Sequence, residues 1–294
     1  MTSRFLTTLS GLALLTPPLT NAAVNDIFPA DFVALPAGTN VITTYAFDKT
    51  SRGPYAAGQQ IGNWQADTQT AALRYARFFE WQGLVWAGSW VGGYTRQSIS
   101  GDGLPDSLNR RVNGSRDMRF NATAWLVNDP VKRDYLATNL TWMLPSGAYQ
   151  GRQMQNTGEN QHQVAASLAW LHGIGQRWNV ELIGELAWYS ANTTAYPGNV
   201  RLEKALTQSL TSYARYDWGN GNETYLGYEW NRGGALTLDG VSQNNPASFD
   251  RLMAGAIIPL SPTLLLNLRA AKDLNVANGF AAQREIAARF LVFY

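Results

Sequence analysis

The stretch Arg284-Glu-Ile-Ala-Ala-Arg-Phe-Leu-Val-Phe-Tyr294 decides the fold. Counting back by twos from Tyr294, the residues Val292, Phe290, Ala288 and Ile286 share its face, while Phe293, Leu291, Arg289, Ala287 and Glu285 share the other. Side chains alternate along a strand, so one face is apolar and the other carries charge. In a soluble sheet the apolar face would stop with nothing after it to cover it. In an outer-membrane barrel the same strand closes the ring, with lipid on one side and lumen on the other.

The opposite end of the chain agrees. Arg4 is the one charge before a small and apolar run from Phe5 to Leu15, followed by Pro17, Pro18 and Thr20-Asn-Ala22. That pattern predicts a secretory signal peptide cut after Ala22; its apolar run, about ten residues, is too short to span a bilayer. The expected organisation is a signal peptide over 1–22, a periplasmic or lumen-plugging segment over 23–38, and a barrel over 39–294.

Composition narrows the classes further. Cysteine is absent, so no disulfide supports the fold and thiolate chemistry is excluded. The 23 basic and 21 acidic residues nearly balance and form no block of like charge, which argues against a nucleic-acid partner. Charged residues are only 15% of the chain and aromatic ones 12%. No apolar run beyond residue 22 reaches the length of a spanning helix. A membrane protein without such helices must close its strands, because lipid satisfies no open strand edge.

Alternation recurs along the chain and predicts an all-β, transmembrane antiparallel barrel of about twelve strands. They are expected over 40–48, 68–80, 84–96, 116–127, 134–144, 160–171, 178–189, 205–217, 223–231, 249–260, 263–273 and 283–294. An even count sets both termini on one side, the periplasmic one. Short turns at 80–83, 128–133, 173–177, 217–222 and 259–263 are rich in Gly, Pro, Asn and Asp. Longer polar connections alternate with them at 49–67, 97–115, 146–159, 190–204 and 232–248, with a shorter one at 274–282. Short periplasmic turns against longer outer loops is the outer-membrane pattern. Trp81, Trp86, Trp125, Trp170, Trp178 and Trp218 lie near short turns, whereas Trp142, Trp188 and Trp230 lie near long loops. Both interfacial girdles are thereby expected to be populated. A soluble propeller would need four shorter strands per repeat where this chain offers two long ones.

Several motifs carry a family resemblance. They begin with Leu35-Pro-Ala-Gly-Thr-Asn40, then Trp125-Leu-Val-Asn-Asp-Pro130 with Tyr135 and Leu144-Pro-Ser-Gly-Ala-Tyr149. Gly158-Glu-Asn160, His172-Gly-Ile-Gly-Gln-Arg-Trp178 and Leu182-Ile-Gly-Glu185 follow in order. Gly227-Tyr228, Gly233-Gly234, Asp239-Gly-Val241 and Asp273-Leu-Asn-Val-Ala-Asn-Gly-Phe280 complete the set. Together they resemble the phenol meta-pathway degradation-like (MetA-pathway) outer-membrane transporter family over the whole mature chain. The resemblance implies a channel or transporter associated with the breakdown of aromatic or other hydrophobic compounds. It implies no ligand site position by position.

Opposite the apolar faces stand Asp117, Arg119, Glu181, Glu185, Arg215, Glu223, Glu229, Arg251, Arg269, Glu285 and Arg289. A charge facing lipid at mid-membrane costs about 2–4 kcal/mol, so these are the candidate lumen residues. Two readings stand: cross-strand pairs that narrow the lumen, or a polar track that selects solutes by charge. Phe290, Val292 and Tyr294 form the expected assembly signal for the barrel-insertion machinery.

Enzymatic motifs are lacking. A serine hydrolase needs a histidine beside its nucleophile, and His162 and His172 are the two available; along one strand they would stand about 33 Å apart. Glu181 and Glu185, four residues apart, would be separated by roughly 13 Å, beyond glycosidase spacing. Asp102-Gly-Leu-Pro-Asp106 reads as a solvated acidic turn rather than a calcium loop. The reading is a non-enzymatic channel for small solutes, without metal or cofactor. Its surroundings would be outer-membrane lipid and lipopolysaccharide. The alternatives are a non-transporting surface barrel and, behind it, an outer-membrane hydrolase.

Overall fold

The computed structural model describes residues 26–294 except 106, 107 and 109. The expected signal peptide therefore lies outside the described residues. Every regular element among those described is a strand. In chain order they are β1 Asn40–Ala56, β2 Gln59–Trp81, β3 Leu84–Ser100, β4 Arg111–Ser115, β5 Arg119–Asp129 and β6 Asp134–Met143. Next come β7 Gln163–Ile174, β8 Trp178–Tyr189, β9 Asn192–Ala195, β10 Val200–Lys204, β11 Thr207–Asp217 and β12 Glu223–Gly233. The last are β13 Leu236–Leu238, β14 Val241–Ser242, β15 Phe249–Ser261, β16 Leu264–Val276 and β17 Gly279–Phe293.

Twelve of these make one antiparallel ring in the order β2, β1, β17, β16, β15, β12, β11, β8, β7, β6, β5, β3, and β3 pairs back to β2. The decisive C-terminal segment is the closing strand: Val292 lies opposite Ile42, Arg289 opposite Tyr45, and Glu285 opposite Lys49. The amide of Asn40 donates to the carbonyl of Tyr294 at 2.8 Å, continuing the seam. Closure leaves no edge to be satisfied in lipid. The short β9, β10, β13 and β14 form a separate four-stranded sheet from the loops, and β4 extends beside β3.

The alternation sorts residues as a barrel in lipid requires. Leu140, Leu168, Leu226, Leu252, Ile286 and Phe290 are exposed on the outer face. The inner face of the same strands is buried; on β17, Glu285, Ala287 and Arg289 are each at most 3% exposed. Trp81, Trp142, Trp170, Trp178, Trp188 and Trp218 are exposed, as girdle residues should be.

Four expectations need correction. The first strand does not stop at residue 48. It runs to Ala56, turns through Ala57 and Gly58 at positive φ, and returns as β2 from Gln59. The predicted loop 49–67 is thus a hairpin extending the barrel wall. Outside lipid neither face must be apolar, so alternation fades while pairing continues. The same reasoning accounts for β3 running on to Ser100, and for β16 and β17 meeting around residues 277–278. Trp125 is no girdle residue: it continues the inward face of Asn121 and Thr123, ahead of the bulge between Trp125 and Val127, and is 2% exposed. Trp64, within the predicted loop 49–67, is buried against Ile99, Leu104 and Leu108, and its indole N–H donates to the carbonyl of Asp102 at 2.9 Å.

The main apolar cluster lies inside the ring. Phe78, Trp125, Tyr135, Leu171, Ile183 and Tyr213 belong to it, and the N-terminal segment packs into it through Phe32, Ile27, Val33 and Leu35. Phe28 is 0% exposed.

Candidate functional site

The candidate site is the interior, built from inward residues on two unlike walls. On one wall, formed by β8, β11, β12, β15, β16 and β17, charge is paired in a ladder. Arg215 binds Glu181 and Glu223 together. Arg251 donates to Asp273 at 2.7 Å, with Glu229 at 3.8 Å. Arg269 donates to Glu285 at 2.7 Å. Glu185, 4% exposed, accepts from the Ser167 hydroxyl at 3.1 Å. Register explains these pairings, because Glu229, Arg251 and Asp273 lie directly opposite on successive strands.

The N-terminal segment is fastened to that ladder. The Ala30 amide donates to both carboxylate oxygens of Glu181, at 3.0 and 3.2 Å. Asp31 binds Arg289, and Asp26 lies 3.8 Å from Arg269. The carbonyl of Ile27 accepts from the Tyr213 hydroxyl at 2.7 Å and from Arg269 at 3.2 Å. Across the barrel, the indole N–H of Trp125 donates to the carbonyl of Phe32 at 2.8 Å. A segment with no regular pairing of its own has its backbone groups satisfied by strand side chains.

The other wall, formed by β1, β2, β3, β5 and β6, meets the segment at Trp125 but is filled only in part. A cavity of about 80 Å³, partly open to solvent, lies between the rest of it and the segment. Gly93 and Ala72 place no bulk there, while Thr70, Asn121, Thr123 and Asn139 give it a polar floor. Arg74 and Arg119 line it from the barrel wall and Arg116 from the link between β4 and β5, and Tyr45, Phe47 and Phe32 supply its aromatic side. A second space of about 50 Å³ shares Asp26, Phe47, Thr70 and Arg116 with the first and is also lined by Thr95, Gln97, Asn156 and Thr157.

Of the eleven residues picked by alternation, nine sit on the paired wall and two border the cavity. Those two are Asp117 and Arg119. Asp117 is not part of a strand, since β5 begins at Arg119. Its carboxylate accepts from the amides of Gly147 and Glu159, both at 2.7 Å, and so fastens the 146–159 loop. Burial pushes that carboxyl above the usual aspartate range, against the lowering by the same amides. Phe290, Val292 and Tyr294 are exposed on the outer face.

Sequence reasoning missed Asp26, Asp31, Lys49, Arg74, Arg116 and Asp273. Arg74 was detectable, because it alternates with the outward Leu73 and Tyr75. Asp26 and Asp31 belong to a segment without periodicity. His162 and His172 each stack on a tryptophan, Trp142 at 5.9 Å and Trp170 at 5.5 Å between ring centroids. His172 also faces Asp134 at 3.3 Å. Among the described residues no cluster of side chains fit to hold a metal occurs, and Asp106 of the acidic turn lies outside them.

Comparison with known proteins adds the following. The family model described as putative MetA-pathway of phenol degradation matches residues 45–290. Among solved structures, an outer membrane channel from Pseudomonas putida F1 superposes with a TM-score of 0.87 at 23% identity, covering 92% of this chain and 100% of that one. The beta domain of the Bordetella autotransporter BrkA gives 0.55 at 14% identity, over 88% and 100% of the two chains. A mutant of the monoaromatic hydrocarbon channel TodX gives 0.50 at 9% identity, over 95% of each. Comparison with curated proteins finds no match. At these identities the likenesses establish the fold.

Proposed function

The chain belongs to the family described as putative MetA-pathway of phenol degradation, and from that premise we propose that it is an outer-membrane channel passing small hydrophobic or aromatic compounds by passive diffusion. One observation carries the reading: the interior is closed on the ladder wall by residues 26–35, yet keeps a cavity along the facing wall. A twelve-stranded ring lies between side-chain-filled eight-stranded barrels and open porins, so a narrow path suits its size.

In this reading the segment 23–38 is the gate. It enters from the periplasmic side, where both ends of the barrel wall meet, and leaves the lumen wider when it detaches. The charged residues of the ladder hold it, and those beside the cavity contact the solute. This reading assigns the barrel no covalent chemistry; both histidines stack on tryptophan rings. Phe290, Val292 and Tyr294 serve recognition by the insertion machinery during assembly and face outer-membrane lipid and lipopolysaccharide afterwards.

The names of two similar structures, an outer membrane channel and a monoaromatic hydrocarbon channel, support the reading. Planar-bilayer recording tests it. The folded protein should conduct, and deletion of residues 23–38 should raise the conductance. Folded protein that stays silent with and without the segment would sink the channel and favour a non-transporting surface barrel, a reading to which the ion-pair ladder lends some weight.

A further inference from the structure

Charge around the cavity is unequally committed. Three carboxylates border it, and each is already engaged elsewhere. Asp31 binds Arg289, Asp117 takes two backbone amides, and Asp26 lies beside Arg269. The cations on the opposite side belong to β2, β5 and the link before β5. Arg74 uses its Nε on the neutral hydroxyl of Ser89 at 3.2 Å. Arg116 borders both spaces, and Arg119 lines the first of them with it. An anion entering here would meet three guanidinium groups.

The aromatic side faces the same space. Tyr45 and Phe47 stack with centroids 6.0 Å apart and planes 8° apart, presenting a flat apolar surface. Phe32 borders the cavity beside them. Its volume of about 80 Å³ is several times the ~10–15 Å³ that admits one water molecule, and the small residues Gly93 and Ala72 border it.

We propose that this cavity is a binding subsite for a small aromatic carboxylate, its charged group set against Arg74 and Arg116 and its ring against Tyr45 and Phe47. Guanidinium groups match a carboxylate with two parallel hydrogen bonds, and ring faces accept an aromatic solute by offset or edge contact. The proposal deepens the channel reading and rests on it for its purpose, though binding itself can be measured without transport. It assigns the barrel a solute that carries a charge, not a neutral hydrocarbon.

The test uses the full folded protein in detergent, with benzoate and benzyl alcohol as charged and neutral aromatic probes, and calorimetric titration. Benzoate should bind saturably and at least tenfold more tightly than benzyl alcohol. Arg74→Gln combined with Arg116→Gln should cost at least tenfold for benzoate and leave benzyl alcohol unchanged. Arg116→Gln alone lies outside the strands, so it keeps the test valid should the double variant fail to fold; it should lose severalfold. In bilayers under a potassium chloride gradient, the reversal potential should favour chloride and move toward neutrality in the variant. Equal binding of the two probes, or benzoate binding indifferent to both arginines, overturns the subsite while conduction leaves the channel standing. Arginine-dependent benzoate binding by a protein that never conducts upholds the subsite and removes the channel instead.

Discussion

The guanidinium of Arg269 stands 4.1 Å from the centre of the Phe28 ring. Arg289 reaches the same ring at 4.6 Å, and Tyr45 and Phe47 flank it at 6.1 Å each. Both arginines are also held by carboxylates, Glu285 and Asp31. The ring is therefore caged by two cations, Arg269 held by Glu285 of the barrel wall and Arg289 by Asp31 of the segment itself. Each such contact, desolvated, is worth about 0.5–2 kcal/mol. The N-terminal segment thus docks through a ring and a carboxylate together.

Phe28→Ala should empty that cage. Truncating a buried phenylalanine costs about 3–5 kcal/mol, but the barrel's strand pairing does not pass through this residue. The loss should fall on docking. In bilayer recordings the variant should show larger or longer openings, with unfolding of the barrel in vesicles close to wild type. Phe28→Leu should lie between. A variant with wild-type conductance and a destabilised barrel would mean the ring supports the wall and not the gate.

Trp125→Phe isolates one hydrogen bond. The ring still packs against Phe78, 5.3 Å away between centroids, but the donor to the Phe32 carbonyl is gone. A neutral hydrogen bond contributes about 0.5–1.5 kcal/mol, which is roughly a two- to tenfold shift in an equilibrium. The open fraction should rise by that factor, less than for Phe28→Ala. An unchanged open fraction would show that the carbonyl finds water as good a partner.

How far the sequence reveals this structure depends on what each face must satisfy. Lipid demands an unbroken apolar band, so Leu168, Leu226 and Phe290 declare themselves by period two, and with them every barrel strand. Above the membrane no such demand exists. The hairpin through Ala57 and Gly58 therefore reads as loop although it is paired throughout. Inside, alternation finds Arg251 and Glu229 because they oppose apolar neighbours on regular strands. It puts Trp125 on the inward face with Arg119, which nearness to a short turn hides, and it reaches Asp117, which borders the cavity although it precedes its strand. It says nothing of residues 26–35, whose position is fixed by carbonyls and carboxylates meeting strand side chains from all round the ring. The split into a paired wall and an open one is a property of closure, which brings β1 beside β17.

Arg251→Met should destabilise the ladder wall. Arg251 is 5% exposed and links β12, β15 and β16 through Glu229 and Asp273. Removing one partner strands the carboxylates, a loss of about 3–5 kcal/mol for a fully buried pair and less where water enters. Asp273 keeps the Ala282 amide at 2.7 Å, so Glu229 should suffer more. Combining Arg251→Met with Glu229→Gln should recover part of the loss. Urea unfolding in lipid vesicles, followed by tryptophan fluorescence, measures both. An additive double variant would mean the 3.8 Å pair contributes nothing.

Gly227→Ala should couple wall and gate. A Cβ at Gly227 would stand 2.4 Å from the Tyr213 ring, so the ring must move. Tyr213 lies edge-on to Tyr225 at 5.8 Å and donates its hydroxyl to the Ile27 carbonyl at 2.7 Å. Overpacking of this kind costs about 1–3 kcal/mol. Both barrel unfolding and gate closure should weaken, because displacing the ring also withdraws its hydroxyl from the segment. Tyr213→Phe separates the effects: it keeps the ring over the glycine, removes only the donor, and should raise the open fraction while sparing the barrel. Equal unfolding and equal conductance for Gly227→Ala and wild type would show that the ring has room to shift without releasing Ile27.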